Sequence, residues 1–153
     1  MKLDIIDKAL LNLVQQDCRQ SVDVLAEAVS LSPAAVHRRL KKLKDTGVIL
    51  NEVAVVDPSK VGKPMTFIVS VEMERERTEQ LDAFRRKAKS DPSVQQCYYV
   101  TGEGDFMLII TAADMDDFEE VTRRIFFDDP NIRRFRTSVV MQRTLASLAV
   151  SVD

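Results

Sequence analysis

Two short stretches hold most of the residues whose types and spacing could do chemistry. In SPAAVHRRLKKLK, residues 32–44, His37, Arg38, Arg39, Lys41, Lys42 and Lys44 follow one another with no acidic residue among them. A stripe of one sign on a helix is a match for phosphate oxygens, whose contacts supply affinity and register but no sequence information. In GEGDF, residues 102–106, two glycines flank Glu103 and Asp105 follows. Taken alone, that string is a tight turn between two strands. Glycines also let backbone N–H groups come close to an anion. Elsewhere the inventory is thin. His37 is the only histidine and has no neighbours to complete a metal site, and Cys18 and Cys97 lie far apart without ligand or disulfide spacing. No nucleophile elbow, phosphate loop or paired-histidine zinc string is present. The expectation is a protein that is not an enzyme and carries neither metal nor cofactor.

The whole chain narrows the choice further. Its 153 residues suffice for one ordinary domain or two small ones, and 45% hydrophobic with 30% charged residues is a soluble globular composition. No apolar run reaches the roughly 20 residues that span a bilayer, and MKLDIIDKALL has acids inside its apolar stretch, unlike a signal peptide. Two free thiols fit a reducing compartment, so a cytoplasmic protein without membrane contact is expected. The net charge of −2 means that nucleic acid can be held only by a local patch, and residues 32–44 supply one.

The elements that must position these residues follow from periodicity. Leu3, Ile6, Leu10, Leu13 and Val14 recur at helical spacing and predict a helix over about 4–16, with Asp4 and Asp7 in its first turn. Ser21 is a cap for a second helix with Leu25, Ala26 and Val29 inward. Ser32-Pro33 starts a third, which ends at Gly47 and buries Val36, Leu40 and Leu43. The short turn between the last two helices places Ser30 where a left-handed backbone is expected. Three helices in this order make a helix-turn-helix, whose last helix enters the major groove. Beyond it, VILNEVAVVDP reads as extended chain and SKVGKP as a loop. MTFIVSVEME alternates as a strand, and Thr78 caps a helix with Leu81, Phe84 and Ala88 inward. VQQCYYVT and DFMLIITA flank the glycine hairpin. A helix with Phe118, Val121, Thr122 and Ile125 follows, and IRRFRTSVVMQR closes as a strand with Phe135, Thr137, Val139 and Met141 on one face. The fold class is α+β: a trihelical unit followed by a ferredoxin-like βαββαβ unit. Domains are expected at 1–50 and 65–153 with 51–64 as an extended linker.

The segments LDIIDKALLNLVQQDCR (3–19), LAEAVSLSPAAVHRRLKKLKDTGVI (25–49) and YVTGEGDFMLII (99–110) together resemble the Lrp/AsnC, or feast/famine, family of transcription regulators. The resemblance covers nearly the whole chain. It implies a DNA-binding N-terminal domain and a C-terminal domain that binds a small effector, usually an amino acid. It also implies a homodimer as the unit, assembling further to a tetramer or octamer. Double-stranded DNA would be met by Ser32, Ala34, Ala35, His37, Arg38, Lys41 and Lys42. Of these, Arg38, Lys41 and Lys42 suit phosphates, and the helix start through His37 and Arg38 suits base edges. Arg39 has two open readings, a phosphate contact or an ion pair with a carboxylate of the first helix. The effector site implied by the resemblance comprises Tyr99, Gly102, Glu103, Gly104 and Asp105, with Thr137 and Ser138 supplied by a neighbouring subunit's last strand. Tyr98 and Tyr99 point to opposite faces of their strand, so one of them can line a pocket. Val53, Val55 and Ile68 are candidate dimer contacts. Two alternatives stand beside this reading. One is an architectural DNA-compacting protein of the same family without a ligand switch, which the apolar Ala34 and Ala35 would favour. The other is a decarboxylase of siroheme-type tetrapyrroles, which would need imidazoles that the C-terminal half lacks.

Overall fold

Asp4 does more than sit in a first turn. Its carboxylate accepts from the Asp7 N–H at 2.8 Å, and the Asp7 carboxylate accepts from the Asp4 N–H at 3.2 Å, a reciprocal cap that starts α1 (Ile5–Gln16). Ser21 caps α2 (Val22–Ala28) and Ser32, followed by Pro33, caps α3 (Pro33–Asp45). Leu10, Leu25, Ala26, Val29 and Val36 are buried together, with Ile6, Leu13, Val14 and Leu40 packed around them. Each leucine or valine among them contributes about 1.5–3 kcal/mol on full burial. The α2–α3 turn is a helix stop in which Ser30 N donates to Glu27 O at 3.2 Å and Leu31 N to Ala26 O at 3.0 Å. That stop needs a left-handed residue, and Ser30 takes φ +53°. Gly47, φ +71°, ends α3 by the same pattern, with Val48 N donating to Leu43 O at 2.9 Å.

The computed structural model describes residues 2–153, grouped into two units. One is the chain up to Val55 together with Leu145–Asp153, and the other is Val56–Thr144. The division at 55–56 lies inside the expected linker 51–64, and residues 145–153, expected with the second domain, group with the helices. Residues 48–56 take part in neither helix nor sheet. Among the described residues no helix is long and apolar enough to cross a membrane.

In the second unit β1 (Met65–Met73), α4 (Thr78–Ser90), β2 (Val94–Tyr99), β3 (Phe106–Ala112), α5 (Met115–Thr122) and β4 (Ile132–Val139) follow the expected βαββαβ order. All pairings are antiparallel, in the order β2-β3-β1-β4. Phe67, Val69, Val71, Phe106, Leu108 and Ile110 face the helices, where they are buried with Leu81, Phe84, Ala88, Phe118, Val121 and Ile125. Phe67 stacks on Phe118 with ring centroids 3.7 Å apart. Register places the other residues of each strand on a face that neither helix covers. Tyr98, Met107, Ser70 and Arg136 form one row across it, and Ile109, Ile68 and Ser138 lie in the next. Two local expectations change. Arg77 rather than Thr78 precedes the first turn of α4, and no side chain caps it. Met141 lies beyond the end of β4 and is exposed, because pairing with β1 stops at Val139 opposite Phe67.

Candidate nucleic-acid interface and effector loop

The packing of α3 sorts its cations. Val36 and Leu43 are buried and Leu40 packs beside them, which turns His37, Arg38, Lys41, Lys42 and Lys44 to solvent. Arg39 is drawn back to α1, where its Nη1 meets the Asp4 carboxylate at 2.7 Å and the Asp7 carboxylate at 2.6 Å. Of its two readings, the ion pair is the one found. Capping by the Asp7 N–H, reinforced by Arg39, holds the Asp4 carboxyl below its usual range. Lys41 pairs with Asp45 at 2.6 Å and Lys44 with Glu52 at 2.8 Å. Among the described residues Arg38 and Lys42 form no ion pair. They are one helical turn apart on the same face, so two unneutralised cations stand together. At the helix start the Ser32 hydroxyl accepts from Ala35 N at 3.2 Å, Ala34 is exposed and Ala35 half-buried. Ser32 therefore fixes the helix entry, while Ala34, Ala35, His37 and Arg38 form the accessible leading edge.

The hairpin between β2 and β3 is tied down by Asp105. Its backbone accepts from Val100 N at 2.9 Å and donates to Val71 O at 2.8 Å, and its carboxylate accepts from Met73 N at 2.6 Å. That last bond serves the end of β1, where the register with β4 shifts between Glu72 and Met73. Sequence reading casts Asp105 as a ligand group, whereas one of its oxygens is already committed to the sheet. Gly102 has φ +125°, open to glycine almost alone. Gly104 is needed for closeness, since a Cβ there would lie 2.4 Å from Ser70 Oγ. Glu103 stands out from the loop and pairs with Arg136 Nη1 at 3.1 Å.

Not all of the expected effector residues converge within one chain. Gly102, Glu103, Gly104 and Asp105 form the loop. Tyr99 lies opposite Phe106 on the helix side, its ring 5.2 Å from that of Phe106 and beneath the Arg85 guanidinium at 5.0 Å. Thr137 and Ser138 are exposed on β4, opposite Val69 and Ile68. The residue of β4 that reaches the loop is Arg136, which sequence reading passed over. Strand alternation could have found it, because Arg136 shares a face with Ser138.

Comparison with known proteins matches both units. The sequence profile of the Lrp/AsnC ligand binding domain matches residues 66–150, and that of a winged helix-turn-helix DNA-binding domain matches residues 3–49. The HTH-type transcriptional regulator y4tD of Sinorhizobium fredii is 47% identical over 153 residues, spanning 100% of this chain and 90% of its own. The DNA-binding transcriptional activator DecR of Escherichia coli is 31% identical over 151 residues, spanning 99% of each chain. Among solved structures, the regulator NMB0573 of Neisseria meningitidis in complex with L-Met superposes with a TM-score of 0.90 at 26% identity, covering 97% of this chain and 96% of its own.

Proposed function

The chain belongs to the Lrp/AsnC family of transcription regulators, and from that membership we infer that it binds operator DNA through α3 and answers to an amino acid held at the 102–105 loop. One observation carries the DNA half of this reading: Arg38 and Lys42 stand together on the exposed face of α3 with no carboxylate partner among the described residues, in a chain whose net charge is −2. Lys41 lends a weaker contact, because Asp45 already holds it. A phosphate contact steepens the fall of log affinity with log salt by about 0.9 per neutralised charge. Gel-shift titrations at several salt concentrations should show a slope shallower by about 2 per helix in Arg38→Ala/Lys42→Ala. An unchanged slope removes α3 from the interface.

For the effector, the loop amides around Gly102 and Gly104 suit a carboxylate, and Glu103 suits an ammonium group better than Asp105 does, since Met73 already occupies one Asp105 oxygen. The related Neisseria protein was crystallised with L-Met, which supports the class of ligand. Thermal shift with each amino acid tests it. Ligand at about 100 times its dissociation constant adds roughly 2.7 kcal/mol, and no response to any of them rejects an amino-acid effector. A homodimer is the expected unit. The uncovered sheet face supports it, with Ile68 38% and Tyr98 49% exposed beside Met107 and Ile109. Sedimentation of the purified chain reads that directly. The relatives' names are those of regulators, and the only histidine is on α3, so an enzymatic reading of the second unit has no imidazole to use.

A further inference from the structure

Residues 145–153 are apolar enough to be ordered and nothing in their pattern says where, yet they have a specific receptor on α1. Gln15 reads the backbone of Val150 twice: its Nε2 donates to Val150 O at 3.0 Å and its Oε1 accepts from Val150 N at 2.8 Å. Asn12, one turn earlier, donates from Nδ2 to Val152 O at 2.9 Å. In an extended segment the N–H and C=O of one residue, and those two residues further on, point to the same side. Residues 150 and 152 therefore present one edge of main chain to two carboxamides on one face of a helix. Gln15 plays the part that a neighbouring strand's peptide group plays in a sheet. Neither carboxamide belongs to the trihelical core, which α1 meets through Ile6, Leu10, Leu13 and Val14.

We propose that the Asn12–Gln15 edge of α1 is a binding site for extended peptide main chain, occupied by this chain's own C-terminal residues 150–152. Recognition is through backbone groups, so the ligand class is an extended segment with two free main-chain positions; the side chain at 150 is open to choice, whereas Val152 is half-buried. Val150 is 67% exposed in the docked state, as that requires. The consequence follows from connectivity. The helical unit consists of two chain segments, so the chain passes between the units twice, at 55–56 and again at 144–145. Docking turns a head on one tether into a head held at two points. Fewer accessible placements raise the effective concentration of a second head once a first is bound, and avidity on paired half-sites rises with it. Docking itself does not depend on the DNA-binding reading; the avidity consequence does.

Hydrogen exchange on the full chain tests the docking, and DNA titration tests what it does. The Val150 amide should be protected in the native protein. Gln15→Ala removes both bonds to Val150; at about 1 kcal/mol net for each, exchange at the Val150 amide should speed up by roughly thirtyfold. Gln15→Met keeps the length of the side chain and should give the same result. Asn12→Ala/Gln15→Ala and a chain ending at residue 148 should each weaken binding to DNA carrying two half-sites while leaving binding to one half-site unchanged. Exchange at the Val150 amide that is fast in the native protein, or slow and indifferent to both Gln15 substitutions, overturns the site. Intact docking with equal losses on one and two half-sites overturns the tethering role. Failure of every form to bind DNA would instead count against the reading of α3, and the exchange result would still stand.

Discussion

Gly104→Ala puts the loop geometry to a quantitative test. A Cβ at this position would lie 2.4 Å from Ser70 Oγ and 3.3 Å from the Val71 carbonyl, where ordinary contact begins near 3.4 Å. The hydroxyl must give way by about 1 Å, or the loop must lift. Overpacking of this kind costs about 1–3 kcal/mol, and about 1–2 kcal/mol is expected here because a hydroxyl can rotate where a backbone cannot. The main offender is the Ser70 hydroxyl, so Ser70→Ala should remove most of the conflict: the Cβ of Ser70 would be 3.8 Å away, which leaves only the 3.3 Å approach to the Val71 carbonyl. The double variant Ser70→Ala/Gly104→Ala should then recover most of the loss, a coupling of about 1 kcal/mol between neighbours. Both tyrosines, Tyr98 and Tyr99, belong to the second unit and the chain has no tryptophan, so near-ultraviolet dichroism reports the unfolding of that unit. For a unit of this size about 1 kcal/mol moves its midpoint by roughly 4–8 °C. Amino-acid thermal shifts should weaken in the single variant and return in the double, while DNA affinity at fixed salt stays constant. A double variant no more stable than Gly104→Ala alone would refute the assignment of Ser70 as the contact.

Three further substitutions probe other supports. Ser30→Gly should raise stability by up to about 1 kcal/mol, because glycine accepts φ +53° without the Cβ conflict while losing some backbone entropy; urea melts followed by helical dichroism read the sign. Arg39→Ala should lower the melting temperature of the helical unit, since the Asp7 side chain, 12% exposed, loses its cation. With its carboxyl held low, Asp4 contributes stability above its unfolded pKa near 3.9 and loses it as pH falls through the lower folded value, so the variant should show a flatter acid limb between about pH 5 and 2. In the second unit Arg124 grips Asp91 at 2.6 and 3.0 Å and holds its carboxyl below the usual range. Arg124→Ala should cost about 1–2 kcal/mol at pH 7, less than a fully buried pair because the guanidinium is well exposed. That cost should fade below about pH 4 as Asp91 protonates in both forms, which tyrosine-monitored melts would follow.

Where a rule is local, the chain can be read directly. Ser32-Pro33 fixes the start of α3, Gly47 its end, and strict alternation from Met65 to Met73 gives β1 its two faces. The left-handed Ser30 is legible for the same reason, since a helix stop of this form demands it. What escapes is whatever depends on a partner far away in sequence. Arg39 keeps two readings in the sequence, and only α1, by bringing Asp4 and Asp7 to it, decides between them. Asp105 sits in a loop that resembles a ligand site, and only the pairing of β1 with β4 reveals that Met73 N needs an acceptor there. Thr78 has the right residue type for a cap, but the helix begins one residue too early to use it. The tail from Leu145 is apolar enough to be ordered, but its pattern names no partner, and three side-chain hydrogen bonds to α1 that no pattern announces hold it there.

An effector can alter DNA binding only by the difference in its affinity for two arrangements of the protein. Within one chain the loop that is proposed to hold it reaches β4 through the Glu103–Arg136 pair at 3.1 Å. A bound zwitterion would compete for both members of that pair, offering a carboxylate to Arg136 and an ammonium group to Glu103. β4 is also the strand whose continuation passes Val140, held by Thr66 O at 2.9 Å, and then Arg143 before ending on α1. Loop, strand and tail thus form one covalent line from the effector site to the DNA-reading unit. A chain ending at residue 148 separates this route from one that runs only through contacts between subunits. It should keep its thermal response to the amino acid, because the loop and Arg136 are intact, and lose the effector's influence on DNA affinity. Retention of the full effect in the truncated chain would mean that the coupling is carried elsewhere.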